Sequence, residues 1–170
     1  MAVTHRLHTT TFLPRPRDEV FAFFADAGNL TRITPPELNF RIVTPQPIEL
    51  AEGSLIDYEL GLFGVPFSWR TEIVRWEPPV AFVDQQLEGP YRLWHHTHTF
   101  VETVGRDGRP GTRMDDRVLW QLPLAPIGEL AYPVVRLQLA RIFNYRQRVI
   151  QEILGGPSQG VKGMESLEGM

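Results

Sequence analysis

A chain of 170 residues, 42 % of them hydrophobic, is about one domain long and can bury a core without a covalent or metal staple. Its formal net charge of −3 gives no electrostatic ground for a nucleic-acid partner. With no cysteine, disulfides, a thiolate nucleophile and Cys-ligated zinc or iron–sulfur sites are excluded.

Val3 to Phe12 alternates and is rich in β-branched residues, which predicts a first strand. The same N-terminal stretch has no apolar segment of the kind a signal peptide needs. No run approaches the ~18 apolar residues that span a bilayer, so the expectation is a water-soluble, cytoplasmic protein without integral membrane association. Pro14 and Pro16 end the strand, and Pro16 suits the first turn of a helix, where its missing N–H costs nothing. Asp18 and Glu19 follow where the helix dipole favours negative charge, and Val20, Phe21, Phe23 and Phe24 supply an apolar face. Asp26 to Asn29 breaks this helix and Leu30 to Ile33 adds a short second one, before Pro35–Pro36 forbids more.

Strands are then predicted over 38–44, 53–62, 65–76, 80–88, 91–104 and 111–122. They are separated by Pro45 and Pro47, Gly64, Pro78–Pro79, Gly89–Pro90 and the Gly105–Gly111 segment with Asp107–Gly108. Links this short make neighbours antiparallel. From Ile127 the apolar period becomes helical, through Val134, Val135, Ile142, Phe143, Val149, Ile150 and Leu154. Pro133 either kinks this helix or marks where its regular part begins, and Gly155–Gly156–Pro157 stops it. The domain is therefore placed at 1–154, and 155–170 reads as a flexible tail.

The resulting class is α+β. A curved antiparallel sheet of about seven strands wraps on a long C-terminal helix, with two short helices after the first strand. A sheet this long must curl, and only the last helix is long enough to cover its concave face. Tyr58, Trp69, Phe82, Trp94, Phe100 and Trp120 fall on that inner face, either lining a cavity or filling a core.

The residues carry a family resemblance. The element order resembles the START/Bet v1-like superfamily, also called SRPBCC, whose shared architecture is the helix-grip fold. Three stretches resemble a bacterial subgroup often labelled "cell division inhibitor" or "polyketide cyclase/dehydrase". They are Phe82–Phe100, with Trp94, His96 and His98; Gly111–Trp120, with Met114, Asp116 and Val118; and the helix end around Ile142, Phe143, Tyr145 and Arg146. The resemblance covers about residues 3 to 154. It implies a pocket for a small hydrophobic or aromatic ligand between sheet and helix; no cofactor is expected.

Strand periodicity sorts the polar groups. In 91–104, Trp94, His96, His98 and Phe100 share one face, taken as inward. Pairing across the next hairpin places Asp116 near His98 or Phe100, on the face of Met114, Val118 and Trp120. Phe82, Asp84 and Gln86 share a face of 80–88. Tyr58, Trp69, Thr71 and, from the helix, Tyr145 complete the candidate ligand-binding set. Three readings stand for its centre: a hydrogen-bonded structural network, polar recognition inside an apolar pocket, and proton transfer by a carboxylate-held histidine. Two histidines and a carboxylate without tighter spacing are a weak metal signal, so no metal is expected. Arg136, Arg141, Arg146 and Arg148 read as the solvated face of the helix, with Arg146 able to turn inward toward Asp84 or Asp116.

Three functions follow. The first is a non-catalytic carrier of a lipid, isoprenoid or aromatic polyketide. The second is a cyclase or dehydratase with His96 or His98 as base and Asp116 orienting it. The third is a protein-interaction module without a cavity. An exposed edge strand would also allow an isologous homodimer.

Overall fold

The computed structural model describes residues 2–156; residues 157–170, most of the predicted tail, lie outside the described residues. β1 (His5–Leu13) alternates as expected, with Thr9, Thr11 and Leu13 turned inward. Pro16 sits one position before α1 (Arg17–Ala25), not inside it, and α1 buries Val20, Phe21 and Phe24. A single 3-10 turn, Ala27–Thr31, follows, its start held by the Asp26 carboxylate accepting from the Gly28 N–H. Contrary to expectation, Pro36 does not end helical structure: it opens a second 3-10 turn, Pro36–Leu38, at the position where a missing N–H is harmless.

That turn shortens the next strand. Asn39 leaves it in the left-handed region with φ 47°, and β2 is only Arg41–Ile42 rather than 38–44. Beyond Ile42 both Val43 and Thr44 donate to the Asp57 carbonyl, so the ladder lapses. The remaining strands lie close to their predicted ranges: β3 (Leu55–Leu62), β4 (Val65–Glu77), β5 (Ala81–Glu88), β6 (Leu93–Val104) and β7 (Pro110–Gln121). They form one seven-stranded antiparallel sheet in the order β1-β7-β6-β5-β4-β3-β2. Register shifts in β4, between Arg70 and Thr71 and between Ile73 and Arg75, bend the sheet where it faces β5.

A 3-10 turn, Ile127–Ala131, leads into α2 (Tyr132–Leu154). Pro133 lies in the first turn of α2, so it marks the start of the helix and does not kink it. The Gly155 N–H bonds the Gln151 carbonyl at 2.8 Å as the helix ends. Leu139, Phe143 and Ile150 form its buried stripe against the concave face of the sheet. No helix among the described residues is long and apolar enough to cross a membrane.

The core is in two parts. One gathers Trp69, Trp94, Val118, Trp120, Leu139 and Phe143. The other gathers Leu13, Phe21, Phe24, Phe82, Phe100 and Ile150 beneath α1. β6 passes through both, presenting Trp94 to the first and Phe100 to the second, and β7 does the same with Val118 and Met114. Between these positions the inward residues are His96, His98 and Asp116. A polar seam therefore separates two apolar clusters along the same pair of strands.

Candidate ligand-binding site

Register builds the seam. His96 and His98 are two apart on β6 and so face the same way. Asp84 on β5 stands opposite His96, and Asp116 on β7 stands opposite His98. The two histidines are 4 % and 2 % exposed and Asp116 is 4 % exposed, so each needs partners inside the protein.

They partner one another. His98 Nε2 lies 3.0 Å from Asp84 Oδ2, and His96 Nε2 lies 3.1 Å from Asp116 Oδ1. His98 Nδ1 is 2.7 Å from Asp116 Oδ1, at an angle that leaves the contact electrostatic, not a hydrogen bond. His96 Nδ1 is 3.6 Å from Asp84 Oδ2. The rings are packed as well as bonded: Phe82 stacks on His98 at 4.1 Å, Phe143 meets His96 edge-on at 5.6 Å, and the two imidazoles lie 3.8 Å apart. Arg146 reaches in from α2, its Nε 3.9 Å from Asp116 Oδ2 and without a hydrogen bond.

The electrostatics follow from burial against charge. Burial raises the Asp116 carboxyl, but the charges of His98 and Arg146, with the hydrogen bond from His96, outweigh it and hold it well below the usual carboxylate range. Asp84 is held lower too, His96 and His98 overcoming its burial. The histidines split. Burial, then the neighbouring charge of His98, depresses His96, whereas Asp116 and Asp84 outweigh burial at His98 and raise it. The seam therefore sets two carboxylates beside the Arg146 guanidinium, and of the two imidazoles His98 holds its proton more firmly than His96.

The seam is one wall of a cavity of about 160 Å³ between the sheet, the 3-10 turns and α2. Asp84, His96, His98 and Arg146 line it, and Asp116 does not; that carboxylate sits behind the histidines. Beside the seam, on the same face of the sheet, the wall is aromatic. Tyr58 and Trp69 stack at 5.8 Å, and Trp94 meets Trp69 edge-on at 5.4 Å. Thr71 Oγ1 accepts the Trp69 indole N–H at 3.1 Å and lies 3.1 Å from the Tyr58 hydroxyl. Burial, reinforced by the charge of Asp84, pushes the Tyr58 phenol up, so it stays neutral.

Of the twelve sequence candidates, Tyr58, Trp69, Thr71, Asp84, Trp94, His96 and His98 line the cavity. Five do not. Gln86 closes the turn between β5 and β6, its amide donating to the Tyr91 carbonyl at 2.6 Å. Phe100 packs beneath α1 against Phe21 and Phe24. Trp120 packs against His5 and stacks on Tyr132 at the far edge of the first cluster. Tyr145 lies beneath the Arg148 guanidinium, 5.3 Å from its ring centre, and is not part of the cavity wall. Asp116 acts through the histidines. Reasoning from sequence missed Leu38, Phe40, Leu60, Leu139 and Ile142 as wall residues, and had Arg146 only as a side chain able to turn inward.

Similarity to known proteins is confined to structure. No family model matches the chain, and no curated protein matches it. Among solved structures, TTHA0849 from Thermus thermophilus is similar with a TM-score of 0.68 at 16 % identity, over 88 % of this chain and 97 % of that one. The di-domain ARO/CYC StfQ from the steffimycin biosynthetic pathway has a TM-score of 0.68 at 15 % identity, over 89 % of this chain and 51 % of that one. A point mutant of Thalictrum flavum norcoclaurine synthase, in complex with a transition-state analogue, has a TM-score of 0.62 at 13 % identity, over 90 % and 98 %.

Proposed function

We propose, from the helix-grip fold of Bet v1-like proteins that this chain carries, that it binds a small hydrophobic or amphipathic molecule between sheet and α2, without covalent chemistry. One observation carries this reading: an apolar, aromatic-walled cavity has a single charged wall. That is the composition of a ligand site, in which apolar surface gives affinity and a few polar groups give orientation.

Size narrows the ligand. The cavity of about 160 Å³ matches an engineered apolar cavity of about 150 Å³ that takes up benzene. The enclosed portion is therefore about one ring, which favours an aromatic or terpenoid unit over a two-chain lipid. Its apolar body would lie against Trp69 and Trp94. An oxygen-bearing end would face His96, His98 and Arg146, whose unbonded Nε supports an anionic or carbonyl group there.

The test is calorimetric titration with phenol and naphthol as probes. Saturable binding to the wild type is expected. Leu60→Trp places an indole in the cavity and weakens binding by about tenfold or more, given the 1–3 kcal/mol that overpacking costs. Equal affinity in the folded variant, or no binding to the wild type, would sink the reading.

A second reading has its own observation. His96 lines the cavity while Asp116 holds its Nε2 at 3.1 Å, the arrangement of an oriented general base. It supports a cyclase or dehydratase, and is distinguished by His96→Gln abolishing turnover while sparing probe affinity. The cavity itself argues against a pure docking module.

A further inference from the structure

We propose that Asp84, His96 and His98 form a site for one divalent transition-metal ion, with Asp116 holding both imidazoles from behind. Three observations of geometry carry this. The first is convergence. Asp84 Oδ2 lies 3.0 Å from His98 Nε2 and 3.6 Å from His96 Nδ1, and the three donor atoms all fall within 4.8 Å of one another. An ion with bonds of about 2.0–2.2 Å spaces adjacent donors by about 3.0–3.5 Å, so one ion can reach all three with little rearrangement.

The second is what the other ring nitrogens do. His96 Nε2 and His98 Nδ1 both turn to Asp116 Oδ1, at 3.1 and 2.7 Å. The bond to His96 fixes that ring's tautomer and orientation, as the usual outer carboxylate of a histidine-bound metal does, and the same oxygen faces the far side of His98 through a charge contact. The ring contacts of Phe82 and Phe143 hold the imidazoles in the same pose.

The third is placement. The three donors line the cavity and Asp116 does not, so the unfilled coordination positions face the space a ligand would occupy. Two histidines and one carboxylate with open positions suit zinc, iron(II), cobalt or manganese. The nitrogen donors disfavour calcium and magnesium. Two carboxylates, Arg146 and a divalent ion leave one positive charge, which a hydroxide or an anionic ligand oxygen would balance.

The site does not depend on which organic molecule enters the cavity, and its test needs none. Full-length protein stripped with chelator is titrated with zinc chloride by calorimetry and with cobalt(II) by visible absorption. One ion per chain is expected. Asp84→Asn and His96→Gln each weaken binding by more than about a hundredfold, beyond the 10–100-fold cost of an outer-partner change. His8→Ala, on the opposite face of the sheet, leaves it unchanged. In case a variant fails to fold, cobalt(II) on the wild type provides a second measurement: it shifts or broadens the ring proton signals of His96 and His98 and spares those of His5 and His8. No stoichiometric ion, affinity unchanged in both ligand variants, or broadening elsewhere overturns the site and leaves a hydrogen-bonded network only. Probe binding that survives such a result would keep the ligand reading intact; ion binding without probe binding would do the reverse.

Discussion

Asp116→Asn lowers the unfolding free energy by about 3–5 kcal/mol, the cost of removing one partner from a buried charge network. The side chains are isosteric, so packing changes little and the loss is electrostatic. Among the described residues Asp116 is the one carboxylate in contact with all three of His96, His98 and Arg146. An amide in its place keeps one accepting oxygen but puts a donor NH2 where the other was, and it neutralises none of the charge. Asp84 can still answer His98, but Arg146 loses the carboxylate it faces. The contrast is Arg70→Ala. Arg70 binds Asp57 at 2.7 Å, yet both side chains are about 40 % exposed, and solvated pairs of this kind contribute about 0.2–1 kcal/mol. Chemical denaturation of both variants checks the difference. Equal, small losses would mean that water reaches the seam.

Phe100→Ala costs a similar 3–5 kcal/mol for a different reason. Phe100 is fully buried and meets Phe21, Phe24 and Phe82 at ring separations of 5.4, 5.5 and 6.1 Å. Truncation removes those contacts and opens a void beneath α1 that the helix cannot collapse to fill without breaking its own anchors. Val101→Ala, one residue along and 40 % exposed, stays within about 0.5 kcal/mol of wild type. Because Phe100 is outside the cavity wall, phenol affinity in the folded fraction of Phe100→Ala is expected to match the wild type. A large change in affinity would return Phe100 to the ligand set.

The strands that build the seam were legible because alternation and turn chemistry agree there. In β6 and β7 the inward face, the hairpin and the pairing of His98 with Asp116 all follow from period two and one turn. That period assigns a face and says nothing about depth along it. Phe100, Trp120 and Gln86 share faces with true wall residues, yet lie beyond the cavity's ends. The helix posed a different problem. Tyr145 and Arg146 are one residue and about 100° apart on α2, and only the packing of Phe143 and Ile150 settles which turns inward. Leu38 and Phe40 come from a turn and an irregular stretch, where no period exists to read. That His96 and His98 could share an ion with Asp84 or Asp116 is legible in the sequence, but which carboxylate faces the cavity is not. That depends on the register of β5 against β6, and sequence spacing records only the two histidines that share a strand.

The division of the core into two clusters has an energetic counterpart. Side chains on opposite sides of the seam share a backbone but no apolar neighbours, so a loss in one cluster does not soften the packing of the other. Leu139→Ala in the first and Phe100→Ala in the second should then combine with a coupling energy below about 0.5 kcal/mol, as independent sites do. Pairing Phe100→Ala with Phe21→Ala inside one cluster should depart from additivity. The seam, on this view, insulates one half of the interior from injury to the other.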